Sequence, residues 1–145
     1  MIQSNNGWQS YRKVAVQTAS PGHLVLMLYD GAISFLERAL TGFNCKDPAE
    51  FNQTISNNII RAQNIIREMN IRLDMERGED VAENLRKLYN YFNKRLQQAN
   101  FKKNREPIEE VIRHIRVIRD AWAEMLSKGG AAALSEAEAN QLQTA

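Results

Sequence analysis

The sequence predicts an all-α protein, an antiparallel up-down four-helix bundle preceded by a short N-terminal arm. Three observations carry that expectation. Apolar residues recur at steps of three and four in four successive stretches. Helix punctuation bounds those stretches, at Ser20-Pro21, Gly42, Asp47-Pro48, Gly78, Asn104 and Gly129-Gly130. Only 3 prolines and 7 glycines interrupt 145 residues, and no stretch reads as a strand hairpin. Short connections make consecutive helices neighbours.

Residues 1–10 are polar and expected to be a flexible N-terminus. Residues 11–128 form the expected bundle domain, and 129–145 an Ala-, Glu- and Gln-rich tail expected to be disordered. Tyr11, Val14 and Val16 give the arm an amphipathic pattern that does not run on into the first helix. Ser20 can cap that helix and Pro21 suits its first turn, where no N–H is needed. Its stripe is Val25, Leu28, Ala32, Leu36, Ala39 and Leu40, and Gly42 is expected to stop it. The second helix opens on Asp47-Pro48-Ala49-Glu50, a capping-box signal. Ile55, Ile59, Ala62, Ile66, Met69 and Leu73 follow.

A turn at Gly78 leads to the third helix, about Glu79 to Asn100, with the stripe Val81, Leu85, Leu88, Phe92, Leu96 and Ala99. Phe101 to Asn104 is expected as a basic loop, with Asn104 capping the fourth helix. There Ile108, Val111, Ile115, Ile118, Trp122 and Met125 form the buried stripe.

Composition narrows the function. The net charge of +2 does not by itself argue for nucleic acid. A single cysteine, Cys45, makes no internal disulfide and fits a reducing cytosol. No run reaches transmembrane length, and MIQSNNGWQS lacks signal-peptide character. His23 and His114 have no partners at catalytic or metal-binding spacing, and no phosphate loop is present. No cofactor or metal is therefore expected, and no enzyme activity.

Two rival readings stand beside a binding role. One is a nucleic-acid-binding bundle using Lys102, Arg113 and Arg116; interleaved acids such as Glu109, Glu110 and Asp120 favour ordinary ion pairs instead. The other is a small enzyme with a site around Asp30 and His23. The stronger signal is apolar surplus. Ile60, Ile65 and Ile71, with Tyr89 and Tyr91, exceed what one stripe per helix needs. The surplus reads either as a wide core or as a groove for a partner helix.

Three blocks give the chain a family resemblance. The first runs from Tyr11 to Ile33, with Thr18-Ala19-Ser20-Pro21 and Leu28-Tyr29-Asp30-Gly31-Ala32-Ile33. The second holds Asn84-Leu85, Leu88-Tyr89, Tyr91, Leu96 and Ala99-Asn100. The third is Ala121-Trp122. With these blocks the chain resembles the FliS family of flagellin export chaperones, over about Tyr11 to Leu126. It departs from the pattern at Gly22, where the family often has a polar or charged residue, and in the tail after Gly129.

The resemblance implies a cytoplasmic helical bundle that binds the C-terminal segment of flagellin, prevents its premature polymerisation and aids its delivery to the flagellar type III export gate. Flagellin and export gate components are the implied partners, without nucleic acid or membrane insertion, and homodimerisation stays open. It also implies a lid made of Tyr11, Val14 and Val16. Ile55, Ile59, Ile60, Leu88, Tyr89, Phe92 and Trp122 are then the candidates for core or groove on helices two to four.

Overall fold

The computed structural model describes residues 20–73 and 79–128. Within them lie α1 (Pro21–Thr41), a 3-10 turn (Gly42–Asn44), α2 (Pro48–Ile71), α3 (Glu79–Lys102) and α4 (Glu106–Ser127), and no strand. The arm, the turn at Gly78 and the tail after Gly129 lie outside the described residues.

Local chemistry sets the helix starts. The Ser20 hydroxyl accepts from the His23 amide at 3.3 Å, and the Asp47 carboxylate from the Glu50 amide at 3.0 Å. Each side chain thus satisfies a donor that the first turn leaves unpaired. Arg105 rather than Asn104 is the N-cap of α4 and makes no side-chain cap, but Asn104 Oδ1 accepts from the Glu106 amide at 3.2 Å just ahead of it.

Two helix ends carry detail beyond the sequence pattern, although Gly42 does stop α1 as expected. Gly42 follows α1 but is not left-handed; its φ is −63°, and the chain tightens there into the 3-10 turn. The reason for glycine is space. A Cβ at Gly42 would lie 2.8 Å from Ile55 Cγ1 and 3.1 Å from the Ile55 backbone nitrogen. The second is the end of α3, which runs through Phe101 and Lys102 rather than stopping at Asn100. Lys103 makes the turn with φ of 51°, a conformation that side chains with a Cβ rarely take. Its ammonium group reaches back to the Asn100 carbonyl and to Ser56 Oγ, which holds it there.

Residue pairs across the seams give the topology. Ser56 meets Asn100 and Gln63 meets Asn93, so α2 and α3 run antiparallel. Arg95 meets Glu106 and Glu110, while Tyr91 meets Glu110, so α3 and α4 do too. Arg116 on Glu37 and Arg119 on Asp30 set α4 antiparallel to α1. Gly31 under Ile65 and Gly42 under Ile55 do the same for α1 and α2. Each helix packs on its two neighbours around the ring, and α4 closes on α1.

The core follows the middles of the predicted stripes; toward their ends Val81, Leu85, Ile118, Trp122 and Met125 are half-buried, and Ala82 and Leu126 are buried instead. Leu36, Ala39, Ile55, Ile59, Ile66, Phe92, Leu96, Ile108, Val111 and Ile115 are fully buried. Each large side chain of this kind contributes about 1.5–3 kcal/mol on burial. One polar contact crosses the interior, between the Tyr29 and Tyr89 hydroxyls, 2.7 Å apart on diagonally opposed helices. Burial pushes both phenols above their ordinary pKa, so both are neutral at physiological pH.

Candidate functional site

The structure separates the candidate residues into two groups. Ile55, Ile59 and Phe92 have no exposed surface, and Tyr89 only 2%. They shape the bundle from inside, and in this conformation they have no surface to offer a partner. Ile60 is 46% exposed, and Leu88 and Trp122 are half-buried. Tyr11, Val14 and Val16 lie outside the described residues.

The surplus on α2 divides for a reason of position. Ile65 is buried because Gly31 on α1 lets it approach; a Cβ there would sit 3.1 Å from Ile65 Cδ1. Ile60 and Ile71 stay exposed. Tyr89 points inward to Tyr29, whereas Tyr91 points outward and donates to Glu110 Oε2 at 2.7 Å. Phe101 and Val117 are 86% and 71% exposed, and the sequence reading flagged neither. Both lie off the periodic stripe of their helix, which is the signal that was available.

Trp122 occupies a position of its own. Its indole N–H donates to the Gly22 carbonyl at 2.8 Å, joining the far end of α4 to the first turn of α1. Gly22 is buried there. The departure from the family pattern at Gly22 thus lies under the indole. Ser20 and His23 tighten the same turn, with Oγ and Nδ1 2.8 Å apart. This is where residues 1–19 join the bundle.

Near the start of α4, Glu110 gathers a polar group. It accepts from Tyr91 and from Arg95 Nε, both at 2.7 Å, with His114 Nε2 4.0 Å away. The Tyr91 and Arg95 hydrogen bonds hold the Glu110 carboxyl below the usual carboxylate range.

Between α2 and α3 lies a polar column missed by the sequence reading. Gln63 Nε2 donates to the Asn93 carbonyl at 3.1 Å, and Asn93 Nδ2 to the Gln63 carbonyl at 3.5 Å. Ser56 Oγ donates to Asn100 at one end, and Arg86 to the Asn70 carbonyl at the other. Ser56, Gln63 and Asn70 recur every seven residues, as do Arg86, Asn93 and Asn100. That repeat is legible in the sequence as a seam position. The amide oxygens of Asn70 and Asn93 are buried and accept no hydrogen bond.

Three residues of the rival readings, Asp30, His23 and Arg116, sit in structural pairs. Asp30 is bound by Arg119 Nε at 2.7 Å, and His23 by Ser20. Arg116 is neutralised by Glu37 at 2.8 Å. Lys102 and Arg113 are exposed on different helices. Among the described residues no three of His, Cys, Asp and Glu gather as a metal site would require. No helix there is long and apolar enough to cross a membrane.

The class defined by this architecture is a small all-α up-down bundle with apolar side chains left on its outer faces. The profile of the family described as Flagellar protein FliS matches residues 4–129. The chain belongs to that family of flagellar secretion chaperones. It is 35% identical to the flagellar secretion chaperone FliS of Bacillus subtilis, over 83% of this chain and 86% of that one. It is 37% identical to the protein of the same name from Salmonella typhimurium, over 85% and 92% of the two chains. With that of Escherichia coli the identity is again 37%, over 83% and 89%.

Proposed function

We propose that this protein is an export chaperone that binds the C-terminal segment of flagellin in the cytoplasm, keeps it from polymerising early and supports its delivery to the flagellar type III export apparatus. The observation that carries this reading is the family match, which spans all four helices rather than a single motif. Such a role requires a binding surface and no chemical step.

Ile60, Leu88 and Trp122 keep surface on the bundle and are the residues assigned to client contact. Ile55, Ile59, Tyr89 and Phe92 support them from the core. Tyr11, Val14 and Val16 are assigned as a lid that the client displaces. A disordered client segment that folds on binding typically buries about 1,000–3,000 Å², and its ordering gives back several kcal/mol. That cost keeps net affinity low enough for release at the export gate.

The test is a pull-down with full-length flagellin and with flagellin lacking its C-terminal segment. Capture of the full-length form alone is the expected result; equal capture of both would sink the proposal. Deleting residues 1–16 is expected to raise the fluorescence of an apolar dye, and unchanged dye binding would remove the lid assignment.

A further inference from the structure

We propose that the face shared by α1 and α2 is a docking surface for an acidic peptide segment of a partner protein, gripped through Arg38 and Arg61. The proposal concerns a second surface and does not rest on the flagellin reading.

Two guanidinium groups, one from each helix, converge on a single ring. Arg38 Cζ lies 5.5 Å and Arg61 Cζ 5.7 Å from the centroid of Phe35. Both arginines are exposed, and neither pairs with a carboxylate among the described residues. The nearby acids are taken: Glu37 holds Arg116, and Glu68 holds Arg72. The close approach of α1 and α2 at Gly31 and Ile65 brings these two side chains to the same place.

The contrast with the other seams makes the pair unusual. Arg95 bridges α3 to α4 through Glu110, and Arg116 and Arg119 bridge α4 to α1 through Glu37 and Asp30. The α1/α2 face has the guanidinium groups without the carboxylates. Arg38 sits in the last turn of α1, where the helix dipole favours a cation. Arg61 lies in the middle of α2 and has no such explanation.

Charge complementarity selects the occupant. Guanidinium forks match carboxylates in shape and charge, and the Phe35 ring orders both forks before a ligand arrives. Carboxylates one helical turn apart, about 5–6 Å between Cβ atoms, suit two guanidinium groups sharing one ring. Phe35 is itself only 7% exposed, so no ring surface remains for stacking a nucleobase. A short segment with two acidic side chains is the fitting ligand. Residues 129–145 of this chain, with Glu136 and Glu138 and no Lys or Arg, are the competing occupant.

The experiment uses the full chain and a capped 12-residue alanine-based peptide with two glutamates four residues apart. A peptide with glutamines in their place is the control. The Nε–Hε signals of Arg38 and Arg61 are followed by NMR. Saturable shifts of both signals are expected with the Glu peptide and none with the Gln peptide. Arg38→Gln with Arg61→Gln is expected to weaken binding about tenfold, and Arg38→Lys with Arg61→Lys to restore part of it. Raising salt from about 50 to 300 mM is expected to weaken it further. Equal binding by the Gln double variant overturns the proposal, as do shifts centred on Lys102 to Arg105 instead. If deleting residues 129–145 alone moves both arginine signals, the chain's own tail is the occupant and a partner segment is excluded.

Discussion

The α2/α3 and α1/α4 seams join equally antiparallel helices, but by different chemistry. Between α1 and α4 the ion pairs are open to water, and the neutral bond from Trp122 to the Gly22 carbonyl stands apart from them at the end of the seam. The partners Arg116 and Glu37 have side chains 55% and 52% exposed. Between α2 and α3 the central contact is an uncharged amide pair sunk into the joint, with Gln63 only 7% exposed, and Lys103 at Ser56 and Arg86 at Asn70 flank it. Exposed ion pairs contribute little, in the range of about 0–1 kcal/mol. Buried amides contribute modestly when paired and cost much when one partner is lost. The first seam is therefore held by its apolar packing. The second is additionally held in register, because Ser56–Asn100, Gln63–Asn93 and Asn70–Arg86 all fall on the same seven-residue step.

The largest effect is expected where that register is cut. Gln63→Ala removes a buried side chain together with its hydrogen bond to the Asn93 carbonyl, so a loss of about 2–3 kcal/mol is expected. Urea denaturation measures it. A loss below that of an α1/α4 variant would reverse the ranking of the two seams.

The tyrosine pair sharpens the same distinction in the core. Tyr29→Phe or Tyr89→Phe leaves one buried hydroxyl without a partner and is expected to cost about 1–2 kcal/mol. The double variant is expected to cost less than the sum of the two, which a double-mutant cycle reads directly. Burial raises both phenol pKa values above 10.0. The protonated, neutral form is thus favoured by folding. The stability it contributes is complete below about pH 10 and falls as pH rises above it. The double Phe variant is expected to lose less stability than the parent in that range.

Smaller effects belong to the charged seam. Arg116→Ala and Arg119→Ala are each expected to cost under about 1 kcal/mol, with the difference from the parent shrinking at high salt. A large, salt-insensitive loss would show that these pairs organise α4. The smallest effect concerns Glu110, whose carboxyl is held below its ordinary range. The stability it contributes is present above the unfolded carboxylate pKa of about 4.3 and fades as pH falls through the folded value. Glu110→Gln is expected to flatten the acid limb of a thermal-melting profile.

The fold was legible because its determinants are local or periodic. Ser20 and Asp47 cap within three residues of themselves, and the stripe of Ile55, Ile59 and Ile66 repeats along one helix face. The end of α3 was not legible. Lys103 takes a left-handed turn because Ser56, 47 residues away, helps hold its ammonium group. The candidate surface was half legible for the same reason. Ile60 and Ile65 look alike in the sequence, and only Gly31 on another helix decides that one is buried. Tyr89 read as core or groove, and its partner Tyr29, 60 residues earlier, draws it inside. Arg38 and Arg61 gave no signal at all, since what joins them is a shared ring rather than a spacing.

The hydrogen bond from Trp122 to Gly22 also gives the molecule a built-in optical gauge. The chain has 2 tryptophans, and the other, Trp8, is removable as Trp8→Phe. The emission colour of Trp122 then depends on the polarity around one indole, placed where residues 1–19 meet the bundle. Events at that junction become visible in a cuvette without an attached dye.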